Sequence, residues 1–199
     1  MTFTELRTLI AADQFRYEGR IGWKNFFKEW FQESGFRFTV VMRWCAFLRA
    51  QWWSRWVIYH LFRCWHRRQQ VKYSTYISFE SKIGPGLYLG HLCCIIVNTH
   101  AEIGRDCTLS HGVTIGQTNK RSKNPGCPII GDRVYLGCGA TILGAITVAD
   151  DSVTAPNSVV IHDVSPRAVV SGIPAKTISQ KGSSGYVAFP SRPSPSIEA

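Results

Sequence analysis

The stretch Pro128–Val148, "PIIGDRVYLGCGATILGAITV", decides the fold. Its aliphatic residues recur neither every second residue, as in a half-buried strand, nor every 3.6, as in a helix. Ile130, Leu136, Ile142 and Val148 stand six apart, and the series continues through Thr154 and Val160. Val134, Ala140, Ile146, Ser152 and Ser158 form a second register, each two residues ahead of a member of the first. Upstream, Ile103, Leu109 and Ile115 keep the same step, and Ile77, Ile83, Leu89 and Ile95 keep it before them. Gly follows many of these positions, as in Ile83-Gly84, Leu89-Gly90, Ile103-Gly104 and Leu136-Gly137. A six-residue period is the mark of a β-helix. One aliphatic side chain per face points inward and a turn follows it. Three such faces make a coil, and coils stack at a strand spacing of about 4.8 Å around a continuous aliphatic column.

The repeat divides the chain. It occupies residues 71–179. Residues 1–70 precede it and have the composition of helices, with no Gly or Pro from Phe38 to Gln70. Residues 180–199, "QKGSSGYVAFPSRPSPSIEA" from Gln180, lose all periodicity and read as a flexible tail. The net charge of +10 is concentrated at the front, where residues 1–70 hold 12 Lys/Arg against 5 Asp/Glu. All seven Trp also lie there. A basic, Trp-rich segment fits a membrane interface better than a nucleic acid, so no nucleic-acid partner is expected. Arg43, Arg49, Arg55 and Arg63 interrupt every window long enough to span a bilayer. Residues 38–70 are therefore expected to lie on a membrane surface or to pack on the repeat. Seven Cys with no basic-then-apolar leader point to a reducing, cytoplasmic setting, at most at the inner face of the membrane. No Cys/His spacing resembles a metal site, so no metal is expected.

Two breaks in the repeat matter for function. The step from Ile95 to Ile103 is eight, and that from Ile115 to Ile130 is fifteen. The second break throws out a loop over residues 117–128 that carries Lys120, Arg121 and Lys123. His91 stands two past Leu89 and His111 two past Leu109, so neither is at an inward position. Continuing the column brings Cys138, two past Leu136. His91, His111 and Cys138 are expected to stack at one corner beside the basic loop. Two histidines in phase are candidates for acid–base chemistry.

These residues carry a family resemblance. "GHLCCIIVN", "HGVTIGQ", "PIIGDRVYLGCGATILGAITV" and "AVVSGIPAKTIS" resemble the hexapeptide-repeat acyltransferases, over about residues 70–179. The match is nearest to the serine acetyltransferase-like branch, which also holds O-acetyltransferases of bacterial surface polysaccharides. The resemblance implies a mainly β fold, a left-handed parallel β-helix after an α-helical N-terminal segment. It implies acetyl-CoA as co-substrate, held in a groove between protomers of a homotrimer, or of a dimer of such trimers. It makes His91 the general base, with His111 beside it. Gly116, Gln117, Ala140 and Lys176 would line the CoA groove, and Lys120 and Arg121 would face its phosphates.

The departures from serine acetyltransferases set the expected acceptor. Those enzymes place Asp fifteen residues before the catalytic His and again just before it; here stand Tyr76 and Gly90. They place an Arg-His pair before the Pro that resumes the repeat; here stand Gly126 and Cys127, before Pro128. With no cation there for a serine carboxylate, the sequence leads to a sugar hydroxyl of a surface polysaccharide or its precursor as acceptor. Serine O-acetylation is the alternative, and a non-catalytic trimeric scaffold is a third reading.

Overall fold

The computed structural model describes residues 1–52, 57–119 and 124–190. Four helices come first: α1 (Phe3–Glu18), α2 (Trp23–Gln32), α3 (Ser34–Ala50) and α4 (Ile58–Lys72). A capping box starts α1, with Thr2 Oγ1 accepting the Glu5 N–H and the Glu5 carboxylate accepting the Thr2 N–H. Within the Gly- and Pro-free run from Phe38 to Gln70, residues 38–50 belong to α3 and residues 58–70 to α4.

The repeat is a parallel, left-handed β-helix of about five coils. Its first face holds β1 (Tyr76–Ile77), β4 (Ile96–Val97), β7 (Thr114–Gly116), β10 (Thr141–Leu143) and β13 (Val159–Val160). The second holds β2 (Lys82–Ile83), β5 (Glu102–Ile103), β8 (Ile129–Ile130) and β11 (Thr147–Val148). The third holds β3 (Tyr88–Gly90), β6 (Thr108–Ser110), β9 (Tyr135–Leu136), β12 (Val153–Thr154) and β14 (Val169–Gly172), closed by an antiparallel β15 (Ala175–Ser179).

The pairing corrects the register near the start. Ile77 pairs with Val97, and Val97 with Ile115, so Val97 rather than Ile95 is the inward strand residue of the first face. Ile95 is buried in the second register, level with Val113 and Ala140. The two extra residues therefore fall between Leu89 and Val97, not between Ile95 and Ile103. The columns Ile77–Val97–Ile115–Ile142–Val160 and Leu89–Leu109–Leu136 are almost wholly buried. Each such aliphatic contributes about 1.5–3 kcal/mol by leaving water.

A solenoid must cover its open end, because the first coil has no neighbour below to take its main-chain groups. The helices do this. Phe38 and Met42 of α3 join the same core as Ile77, Leu87 and Leu89. Arg43 donates to the Ile83 and Gly84 carbonyls at 2.7 and 2.6 Å. Arg16 donates to the Gly86 carbonyl, and His66 Nε2 and Gln70 to that of Ile77. Asp13 is wholly buried against Arg43, and its Oδ1 accepts the Gly86 and Leu87 N–H groups at 2.9 Å each. Burial raises the Asp13 carboxyl pKa, opposed by Arg43 and the two N–H groups.

Of the two placements expected for residues 38–70, residues 38–50 take the second: α3 packs on the repeat as the buried plug of the solenoid. Among the described residues no helix is long and apolar enough to cross a membrane. The tail, expected to be flexible, is docked as far as residue 190. The Ser183 N–H bonds to the Asp151 carbonyl, Tyr186 packs on Tyr135, and Arg16 Nε donates to the Ala188 carbonyl at 2.7 Å. It runs back along the third face to α1. Residues 191–199 lie outside the described part.

His66 gives a pH prediction. Its imidazole is buried and its pKa is lowered, chiefly by desolvation. Below pH about 6.5 the unfolded chain takes up this proton more readily than the folded one. Stability contributed at His66 is therefore present above that pH and lost as pH falls towards the folded value. Thermal melts from pH 7.5 to 5 should show a smaller drop in His66→Phe than in the wild type; an equal drop would clear His66 of the effect.

Candidate active site

His91 and His111 each follow a strand of the third face, at the corner leading to the first face. The corner is a ladder. The N–H groups of Cys94, Gly112, Gly139 and Asn157 donate to the carbonyls of Tyr73, Cys93, His111 and Cys138, at 2.8–3.1 Å. All four donors have left-handed φ, between 54° and 73°. Gly supplies two of them at no steric cost.

The two extra residues act at this corner. From the strand side, Gly90 pairs with Ser110, which sets His91 under His111. From the ladder side, Cys93 holds the place under His111. The chain bulges between these anchors. His91 turns out with φ 52°, and Leu92 turns in as a buried core residue. The two imidazole rings meet edge-on, with centroids 6.3 Å apart and planes at 71°. Both are exposed, and among the described residues neither ring nitrogen has a hydrogen-bond partner. Cys138 stacks one coil above His111, and its side chain is half-buried. The vicinal thiols of Cys93 and Cys94 lie 3.3 Å apart on the bulge, both exposed.

Helix α3 supports the strand that presents His91. Gly35 lies so close that a Cβ there would sit 2.4 Å from the Leu89 carbonyl. No other residue type fits this approach, two positions before His91.

Of the other sequence-derived candidates, Gly116, Gln117 and Lys176 sit away from this corner. The 117–128 loop leaves the β-helix between the first and second faces, one face away from the histidine corner, rather than beside it. Its base is held by a Thr118–Gly126 bridge and by the Ala145 N–H on the Asn124 carbonyl. Gly116 and the exposed Gln117 form its root, at most about 20 Å of chain from His111. Lys120 and Arg121, with Lys123, lie outside the described residues. Lys176 is exposed on β15, five strand steps above β3, or about 24 Å. Ala140 presents nothing to a ligand: its side chain is buried, its N–H bonds the Gly137 carbonyl and its carbonyl accepts from Thr114. One chain thus joins His91 and His111 and keeps Ala140 at their corner, but holds Gly116 and Gln117 one corner away and Lys176 farther along the third face. Tyr76, at the position of the expected orienting acid, faces outward on the first face.

The sequence signal missed the helix-side anchors Asp13, Arg16 and Gly35. Their partners lie 30 to 172 residues away, and no local pattern announces such pairs.

The architecture is that of a hexapeptide-repeat β-helix with a histidine pair at one corner, and similarity to known proteins follows it. No protein-family model matches the chain. It is 42% identical over 100 residues to a serine acetyltransferase of Helicobacter pylori, covering 50% of this chain and 58% of that protein. It is similar to the Brucella abortus serine acetyltransferase solved in complex with coenzyme A, with TM-score 0.69 and 28% identity over 89% of this chain and 67% of that one. It is also similar to soybean serine acetyltransferase complexed with serine, with TM-score 0.70 and 28% identity over 88% of this chain and 70% of that one. The chain thus spans little more than half the length of the curated relative it matches. These relatives overturn the expectation of a polysaccharide sugar as acceptor. That expectation rested on missing carboxylate-binding residues, whereas the matched proteins are serine acetyltransferases, one of them solved with serine bound.

Proposed function

We propose that this chain transfers an acetyl group from acetyl-CoA to the hydroxyl of serine. The observation that carries the reading is the His91–His111 pair, set at one corner of coils similar to those of serine acetyltransferases. The acceptor hydroxyl would give its proton to a neutral His91 imidazole as its oxygen attacks the thioester carbonyl. The tetrahedral oxyanion needs N–H donors. Gly112 and Gly139 cannot serve, because the corner ladder uses their N–H groups. The N–H groups of Leu92 and Cys93, in the bulge, have no acceptor among the described residues and are the better candidates. Collapse of the intermediate expels the CoA thiolate, which takes from His91 the proton that came from the acceptor hydroxyl. No acyl-enzyme is needed, so Cys93 and Cys94 are not required as nucleophiles.

The separation of the histidine corner from the 117–128 loop supports a trimer, in which the loop corner of one protomer faces the histidine corner of the next. Neither Gly126 nor Cys127 offers a cation to a serine carboxylate, so that charge must come from elsewhere on the loop or from a neighbouring protomer.

Incubation with acetyl-CoA and L-serine tests the reading. Release of free CoA thiol and formation of O-acetylserine are expected at millimolar serine or below. Binding of acetyl-CoA with no turnover of serine would overturn the acceptor, and no binding would overturn the enzyme.

A further inference from the structure

The most cationic element of the chain plays no part in the chemistry above. Helix α4 carries Arg63, Arg67, Arg68 and Lys72 within its 15 residues and no acid. Among the described residues none of the three arginines has an ion-pair or hydrogen-bond partner. All three line a cavity of about 660 Å³ between α4 and the Ser78–Phe79 turn of the first coil, which His60 and His66 also line. His66 is 2% exposed, and with Nε2 donating to Ile77 its Nδ1 is buried with no partner. Three guanidinium groups around one hollow repel each other until an anion enters, and their planar forks match phosphate oxygens.

The rest of the helix surface narrows the source of the phosphate. Leu61 of α4 is 64% exposed, with Ile58, Trp65 and Val71 also bare. Trp65 packs edge-on against Trp30 of α2 at 5.6 Å, so the two helices share this side. There α2 adds Trp23 and Phe31, 78% and 74% exposed, and Phe27. A soluble phosphate would explain the arginines but not the bare rings. A second copy meeting this face symmetrically would cover the rings but set α4 cations against α4 cations. Bare Trp and Leu beside unpaired Arg match the interface of an anionic bilayer.

We propose that the hollow beside α4 binds the phosphate of an anionic phospholipid, with α4 and α2 laid on the membrane surface. The proposal is independent of the acetyl-transfer reading. Co-sedimentation of the full chain with vesicles tests it. Uptake is expected on phosphatidylcholine vesicles containing phosphatidylglycerol, weakening as salt rises, and not on phosphatidylcholine alone. The Arg63→Gln, Arg67→Gln, Arg68→Gln triple variant should bind on the order of a hundredfold more weakly, at about tenfold or less per charge. The Leu61→Ser, Phe31→Ser variant should also bind more weakly, with an unchanged melting temperature because both side chains are exposed. Equal uptake on neutral vesicles would overturn the proposal. Inorganic phosphate binding by calorimetry without vesicle uptake would overturn it in favour of a soluble ligand. Loss of assembly mass in the Leu61→Ser, Phe31→Ser variant, with vesicle uptake unchanged, would overturn it in favour of a second copy.

Discussion

Replacing His91 with alanine is expected to lower kcat for acetyl transfer by about 10²–10⁴-fold, the range a positioned general base supplies. The fold should survive, because His91 is an exposed bulge residue and the buried anchor of that bulge is Leu92. Far-UV circular dichroism and the mass in solution should match the wild type, while thiol release collapses. His111→Ala should cost less: its ring lies 6.3 Å away, able to contact the acceptor without taking its proton. An His91→Ala protein within tenfold of wild-type kcat would remove His91 from the role. If His111→Ala proved the more damaging, the base would be reassigned to the ladder position.

The second large effect is on stability. Asp13→Ala should destabilise the chain by about 3–5 kcal/mol, because it leaves Arg43 buried without its counter-ion. It also orphans the Gly86 and Leu87 N–H groups. At about 2–4 °C per kcal/mol for a chain of this size, the melting temperature should drop by on the order of 10 °C. Replacing the pair together, Asp13→Leu with Arg43→Met, should recover part of that loss, since no lone buried charge remains. Recovery would be incomplete, because Arg43 also caps the Ile83 and Gly84 carbonyls. A single-variant loss under about 1 kcal/mol would show that the pair is not the main tie between helices and β-helix.

Arg43 shows how a residue can be read incompletely from the sequence. In the sequence it is a charge that breaks a would-be membrane span, and no spanning helix is present among the described residues. Its task is legible only once α3 lies under the first coil, where it bonds α1 and the end of β2 at once. Ile95 shows the limit of periodicity. Ile95, Ile96 and Val97 are consecutive, so counting sixes cannot tell which one begins the new coil. The pairing of Ile77 with Val97 decides it, and that choice moves the two-residue insertion onto the histidine corner itself. Ala140 shows a different limit. A position near a site in sequence can be spent wholly on the ladder and the core.

The sequence by itself determined the β-helix, because an inward aliphatic every six residues is a local rule that each coil obeys alone. It also determined the twenty-residue offset that sets His91 under His111, since that offset follows from the columns. Only the tertiary structure decided how the first coil is capped, how His91 is thrust outward, and that the root of the 117–128 loop stands at another corner. These depend on hydrogen bonds and close approaches between residues 30 to 90 positions apart, such as Asp13 with Arg43 and Gly86, and Gly35 with Leu89. Such contacts leave no period in the chain, because each is made once.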